Sequence, residues 1–80
     1  MNNERKLIYV ILNDIDVEYD LEEQPTQYVV YIRHQTVDTR QVSQVNDEIK
    51  HEFADAGLDF SETVAPKDKK ADIVLVVKRK

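Results

Sequence analysis

The most regular apolar pattern in the chain has the period of an amphipathic helix. Its apolar residues recur at spacings of three and four, which places them along one stripe of a helix. They are Val42, Val45, Ile49, Phe53 and Ala56. Asp38 is positioned as the N-cap with Gln41 three residues later, and Gly57, the only glycine, stands where a left-handed residue ends a helix. These signals predict a helix over about residues 39–56.

Other segments have the composition of β-strands. Residues 7–12, 28–32 and 73–77 are apolar at consecutive positions and rich in β-branched or aromatic residues, as in strands covered on both faces. Residues 15–21 instead alternate apolar side chains with acids, which predicts a strand buried on one face. Residues 59–64 are expected to form a short edge strand before a polar loop.

The order of these elements predicts an α+β fold, in one domain over residues 1–80. In the order β-β-β-α-(β)-β, a mostly antiparallel sheet of 4–5 strands forms one layer, and a single amphipathic helix covers one of its faces, roughly as in other two-layer folds. The path from residues 28–32 through the helix to residues 73–77 fits a right-handed parallel crossover. An alternative for residues 3–12 is a helix that begins behind Asn3.

A single helix leaves the second face of the predicted sheet without a cover. The apolar side chains of the strands cannot all lie beneath it, and the remainder would form a patch larger than a monomer usually exposes. These candidate interface residues are Tyr9, Ile11, Val29, Tyr31, Val74 and Val76. A second copy packing sheet to sheet about a two-fold axis is the simplest cover, so we expect a homo-oligomer. A different protein, or the N-terminal segment of a monomer folded over the face, are the alternatives.

Carboxylates recur at every second residue in the segment DIDVEYDLEE. Strand geometry would place five of them on one face, about 6.5–7 Å apart at each step. They are Asp14, Asp16, Glu18, Asp20 and Glu22. The row has three functional interpretations besides a solvated strand face: a docking face for a basic protein, a mimic of the phosphates of a nucleic acid, or a metal site. We expect no metal, because a calcium loop needs a glycine at its sharp turn and this segment has none.

The net charge, the lengths of the apolar runs and the absence of cysteine limit which partners and which cellular location we expect. A formal net charge of −5 argues against general nucleic-acid binding, although six bases lie among residues 66–80. The longest apolar run is the six residues 7–12, too short for a bilayer span or a signal peptide, so we expect no membrane association. The absence of cysteine in so small a chain favours a reducing, cytoplasmic location.

The sequence offers no catalytic constellation. Neither serine lies in a nucleophile motif, and a single glycine cannot form a phosphate loop. His51 shares a helix stripe with Asp47 and Asp55, but a further ligand is missing there, and His34 has no evident partner in the sequence. No cofactor is implied, and no family motif stands out. We therefore expect a small non-enzymatic binding or assembly module that self-associates through its open sheet face, with an acidic strand available to a basic protein partner. The alternative is an acidic nucleic-acid-mimic inhibitor of a DNA- or RNA-binding protein, and the third hypothesis is an enzyme with an unrecognised site.

Overall fold

The computed structural model describes residues 3–64 and 71–79 and has two helices and a four-stranded antiparallel sheet. The elements are α1 (Asn3–Ile15), β1 (Glu18–Glu23), β2 (Gln27–Arg33), α2 (Val42–Asp55), β3 (Phe60–Val64) and β4 (Ile73–Lys78). Their order across the sheet is β1-β2-β4-β3, and each neighbouring pair is antiparallel. The predicted α+β class is confirmed, but the predicted order differs, since the described chain begins with a helix.

The strand predicted over residues 7–12 is wrong, because this segment belongs to α1. Four apolar residues of α1 lie three or four residues apart around one helical stripe and are buried in the core. They are Ile8, Ile11, Leu12 and Ile15. Leu7 and Val10 lie off that stripe, with exposed fractions of 36% and 57%. The helical period therefore determines this segment, despite its β-branched composition.

The helix α2 begins three residues later and ends one residue earlier than predicted, and its end is formed by Gly57 as predicted. At its end, Gly57 adopts φ +74° and donates to the carbonyl of Ala54, while Leu58 donates to the carbonyl of Phe53, as in a Schellman motif. At its start the N-cap is Gln41, whose backbone N–H donates to the Gln44 side chain at 2.7 Å. The N-cap predicted at Asp38 is wrong because that carboxylate accepts hydrogen bonds from Arg40 instead.

The parallel crossover predicted between β2 and β4 is also wrong, because these neighbouring strands are antiparallel. The reason is β3, which follows α2 and forms the edge of the sheet. Since β3 and β2 both run antiparallel to β4, they run in the same direction as each other. The crossover through α2 therefore connects β2 to β3, and the chain then reverses to place β4 between them.

Both helices pack on one face of the sheet. The Tyr9 and Tyr19 rings lie 5.9 Å apart and join α1 to β1, while the Phe53 and Phe60 rings lie 5.7 Å apart and join α2 to β3. The side chains of the two central strands that point toward the helices are at most 1% exposed. They are Tyr28, Val30, Ile32, Ile73, Leu75 and Val77. One core therefore lies between the helices and the sheet, and the second face of the sheet points away from it.

Candidate functional site

The sheet face turned away from α1 and α2, called here the open face, carries the residues that alternate with the core residues along each strand. Cross-strand pairing arranges them in two rows. The first row is Glu22, Val29, Val76 and Ser61, and the second is Asp20, Tyr31, Val74 and Thr63. Beyond these rows, Arg33 pairs with Glu18 and Lys78 pairs with Gln27. The open face is thus acidic along β1, apolar in the middle of the two central strands with one base near an end of each, and polar without charge at Ser61 and Thr63 of β3.

The centre of the open face is an apolar strip made of Val29, Tyr31, Val74 and Val76. Val29 is 6% exposed, and the other three side chains are half-buried. The hydroxyl of Tyr31 donates to Glu22 Oε2 at 3.3 Å, which connects the Tyr31 side chain to β1. Because β-branched side chains on adjacent strands form an even surface, the strip is suited to packing against a second sheet.

Two of the six candidate interface residues lie on α1 and away from the open face. Ile11 is 7% exposed and belongs to the core cluster between the helices and the sheet. Tyr9 contacts Tyr19, which lies on the helix-facing side of β1. Because residues 7–12 are helical, neither side chain extends the apolar strip, which is smaller than the patch predicted from sequence.

An acidic margin, formed by Glu18, Asp20 and Glu22, borders the apolar strip. All three residues are exposed on the same side of β1, as the alternating pattern predicts. Arg33 on the neighbouring strand donates through Nη2 to Asp20 Oδ2 at 2.7 Å, and its Nε lies 3.7 Å from Glu18 Oε1. The hydrogen bond to Asp20 and its charge raise the pKa of Arg33, so the guanidinium remains charged beside the margin. These ion pairs are exposed and therefore add little to stability.

The predicted row of five carboxylates is wrong at its first two members. Asp14 lies in the last turn of α1, and Asp16 lies in the turn that follows, with φ +64°. The helix continues to Ile15, so the period of two begins only where β1 begins, at Glu18. The structure therefore brings three of the five carboxylates together on the open face.

The opposite border of the open face is a hydroxyl margin formed by Ser61 and Thr63. Both residues are exposed on the edge strand β3. The acidic residue between them, Glu62, alternates to the helix-facing side, where its carboxylate lies 3.5 Å from the ammonium of Lys50 on α2. The two margins therefore differ in charge although both lie on edge strands.

A cluster around Arg40, which was not predicted from the sequence, joins the β2–α2 connection to α2 and to the turn after α1. The Arg40 guanidinium donates to Asp38 at 2.8 Å and 3.0 Å, to Glu48 at 2.7 Å and to the carbonyl of Asp16 at 3.2 Å. The ring Nε2–H of His34 donates to the carbonyl of Arg40. The two-residue spacing of Asp38 and Arg40 was the available signal, and the hydrogen bonds of the cluster hold the β2–α2 connection in place.

The pH dependence of stability is expected to report the Asp38–Arg40 pair. Hydrogen bonds from the Arg40 side chain and backbone lower the pKa of Asp38 from 3.8 to about 2. A carboxylate with a lowered pKa in the folded state stabilises the fold above its unfolded pKa, and this contribution disappears as the pH falls through the folded pKa. The contribution of Asp38 should therefore be complete above about pH 4 and lost toward pH 2.

Urea unfolding of the wild type and of Asp38→Asn across this pH range measures that contribution. The wild type should be the more stable protein at neutral pH, and the difference between the two should shrink as the pH falls from about 4 to about 2. A difference that does not change with pH would show that the Asp38 carboxylate does not stabilise the fold through its charge.

The described part of the chain can also be compared with the requirements of a metal site, a membrane span and a substrate cavity. Within residues 3–64 and 71–79, no group of three or more His, Asp or Glu side chains is placed to hold a metal ion. Neither described helix is long and apolar enough to cross a membrane. A cavity between Val17, Ile32 and Val45 has a volume of about 10 Å³, close to the space that one water molecule occupies. This cavity is too small for a substrate, whereas a more open cleft beside Arg40, lined also by Asp16, Gln35 and Asp38, has a volume of about 410 Å³.

Compared with models of known protein families and with curated proteins, the chain matches none of them.

Proposed function

We propose that this protein is a non-enzymatic assembly module that forms a homodimer by packing its open face against the open face of a second copy. The observation that carries the proposal is the placement of both helices on one side of the sheet, which leaves the apolar strip on the other side. Two β-sheets pack face to face through such strips, with a spacing of about 10 Å. A second copy supplies a matching strip without any additional gene product.

The size of the open face predicts a weak and reversible dimer. Four strands of five to seven residues, about 4.8 Å apart and with a rise of about 3.3 Å per residue, span roughly 20 Å by 20 Å. Two such faces would bury about 800 Å² in total, below the roughly 1,200–2,000 Å² of stable complexes. We therefore expect a dissociation constant in the micromolar range or weaker, on the order of 1–100 μM.

The acidic margin gives the module a second capacity, since its exposed carboxylates are suited to a basic protein partner. These carboxylates border the strip that the second copy would cover. A basic partner would therefore compete with dimer formation rather than bind independently of it.

The nucleic-acid-mimic hypothesis draws less support from the geometry. A phosphate mimic needs an extended row of unneutralised carboxylates. The acidic margin has three members, and Arg33 forms ion pairs with two of them, Glu18 and Asp20. We retain a protein partner as the second function of this surface.

Methyl resonances measured over a concentration series locate the proposed interface. Between about 20 μM and about 1 mM, the methyl signals of Val29, Val74 and Val76 should shift progressively as the dimer forms. The methyl signals of Leu7 and Val10 on α1 are the control, because these exposed residues lie on the opposite side of the molecule. Shifts confined to α1, or none at all, would contradict the proposal.

A further inference from the structure

The open face is asymmetric across the sheet. The acidic margin lies on β1, the hydroxyl margin lies on β3, and these are the two edge strands. The apolar strip on β2 and β4 separates them. Any dimer formed through this face must place each margin opposite some part of the partner copy, so its symmetry decides which charges meet.

Two kinds of two-fold axis bring the open face against itself. An axis that crosses the strands places every strand opposite its own copy, so β1 faces β1. An axis that runs parallel to the strands, between β2 and β4, places β1 opposite β3 and β2 opposite β4. Both axes stack the apolar strip on itself, so apolar contact alone does not distinguish them.

Charge distinguishes the two arrangements. Packed sheets lie about 10 Å apart, and side chains from both copies extend into this gap. Arg33 offsets one of the three negative charges of each acidic margin, so the margin remains net negative. Facing carboxylates would then be closer than the Debye length of about 8 Å at physiological ionic strength, so salt would not screen their repulsion fully. We propose that the axis runs parallel to the strands, so that the acidic margin of each copy meets the hydroxyl margin of the other. This arrangement rests on the proposed self-association.

The spacing of the sheets allows the two margins to interact directly. A hydroxyl donates to a carboxylate over about 2.7 Å, which leaves about 7 Å of the 10 Å gap for the two side chains. A glutamate such as Glu22 and a serine such as Ser61 together fill that distance. Aligned sheets also rotate by about 30°, which shifts an edge strand by about one residue. The opposed strands, rather than single residue pairs, therefore define the interface.

Placing lysines on the hydroxyl margin tests the arrangement. In the double variant Ser61→Lys, Thr63→Lys, each lysine would meet the partner's acidic margin if the axis is parallel to the strands. The dissociation constant measured by sedimentation should then fall about threefold to thirtyfold. If the axis crosses the strands, the same lysines would face each other and the dissociation constant should rise.

The matched control is Ser43→Lys, Ala54→Lys, which adds the same charge at exposed positions of α2. It corrects for the smaller net negative charge of the variant. A hydroxyl-margin variant that dimerises more weakly than this control, or equally well, would overturn the parallel axis. A wild-type protein that stays monomeric would instead overturn the proposed function, and the arrangement with it.

Discussion

Replacing Leu12 by alanine is expected to lower the free energy of unfolding by about 2–5 kcal/mol. Leu12 is fully buried on the helical stripe of α1, within the core between the helices and the sheet. Its removal would leave a cavity in a chain of 80 residues, whose total stability is modest because small domains bury a limited fraction of their surface. Urea unfolding, at protein concentrations below the dissociation constant of the dimer, measures the loss.

Leu7→Ala is the matched control for this prediction. It is the same substitution on the same helix, but Leu7 is 36% exposed and lies off the buried stripe. The expected loss is below about 1 kcal/mol, because much of the side chain already contacts water. Equal losses for the two variants would contradict the helical placement of residues 7–12, since a strand covered on both faces would bury both leucines.

Replacing Val76 by glutamate is expected to abolish dimer formation up to about 1 mM protein. Val76 lies on β4 within the apolar strip, where its cross-strand neighbours are Val29 and Ser61. In the dimer the substitution would bury two unpaired carboxylates, one from each copy, and each would cost several kcal/mol. In the monomer the half-buried side chain can reach water, so the fold should lose only about 1 kcal/mol.

The control for this variant is Val10→Glu, which makes the same change on the outer side of α1. Val10 is 57% exposed, so its substitution should leave both the fold and the dimer unchanged. The circular dichroism of both variants should match the wild type. If Val10→Glu lost the dimer and Val76→Glu kept it, the interface would lie on α1 and not on the open face.

Local patterns predicted α2, the strands β2, β3 and β4, and the edge position of β3. The spacing of Val45, Ile49 and Phe53 fits a helix and does not fit a strand. Gly57 can adopt the left-handed conformation that ends a helix, and it does so here. The strand prediction for residues 7–12 failed because β-branched and aromatic side chains occur both in strands and on buried helix faces. The decisive signal was available in the spacing of Ile8, Ile11 and Ile15, which continues past the apolar run.

The layout of the open face depends on strand order, which local patterns do not contain. Alternation in residues 18–22 placed the acids on one side of a strand, and the structure shows Glu18, Asp20 and Glu22 exposed together. After β3 the chain reverses direction, and β4 pairs between β2 and β3. No local pattern in the sequence contains this strand order. The Arg40 cluster joins groups as far apart in sequence as Asp16 and Arg40, so it too required the folded chain.

The proposed dimer requires that the open face bind a second copy of the same chain. Sedimentation equilibrium of the wild type and of Val76→Glu, from about 1 μM to about 1 mM, tests it most directly. The wild type should change reversibly from its monomer mass of 9.4 kDa to twice that mass, while Val76→Glu should remain at 9.4 kDa. A wild-type protein that remains a monomer at the highest concentration, or a Val76→Glu protein that dimerises equally well, would contradict the proposed dimer.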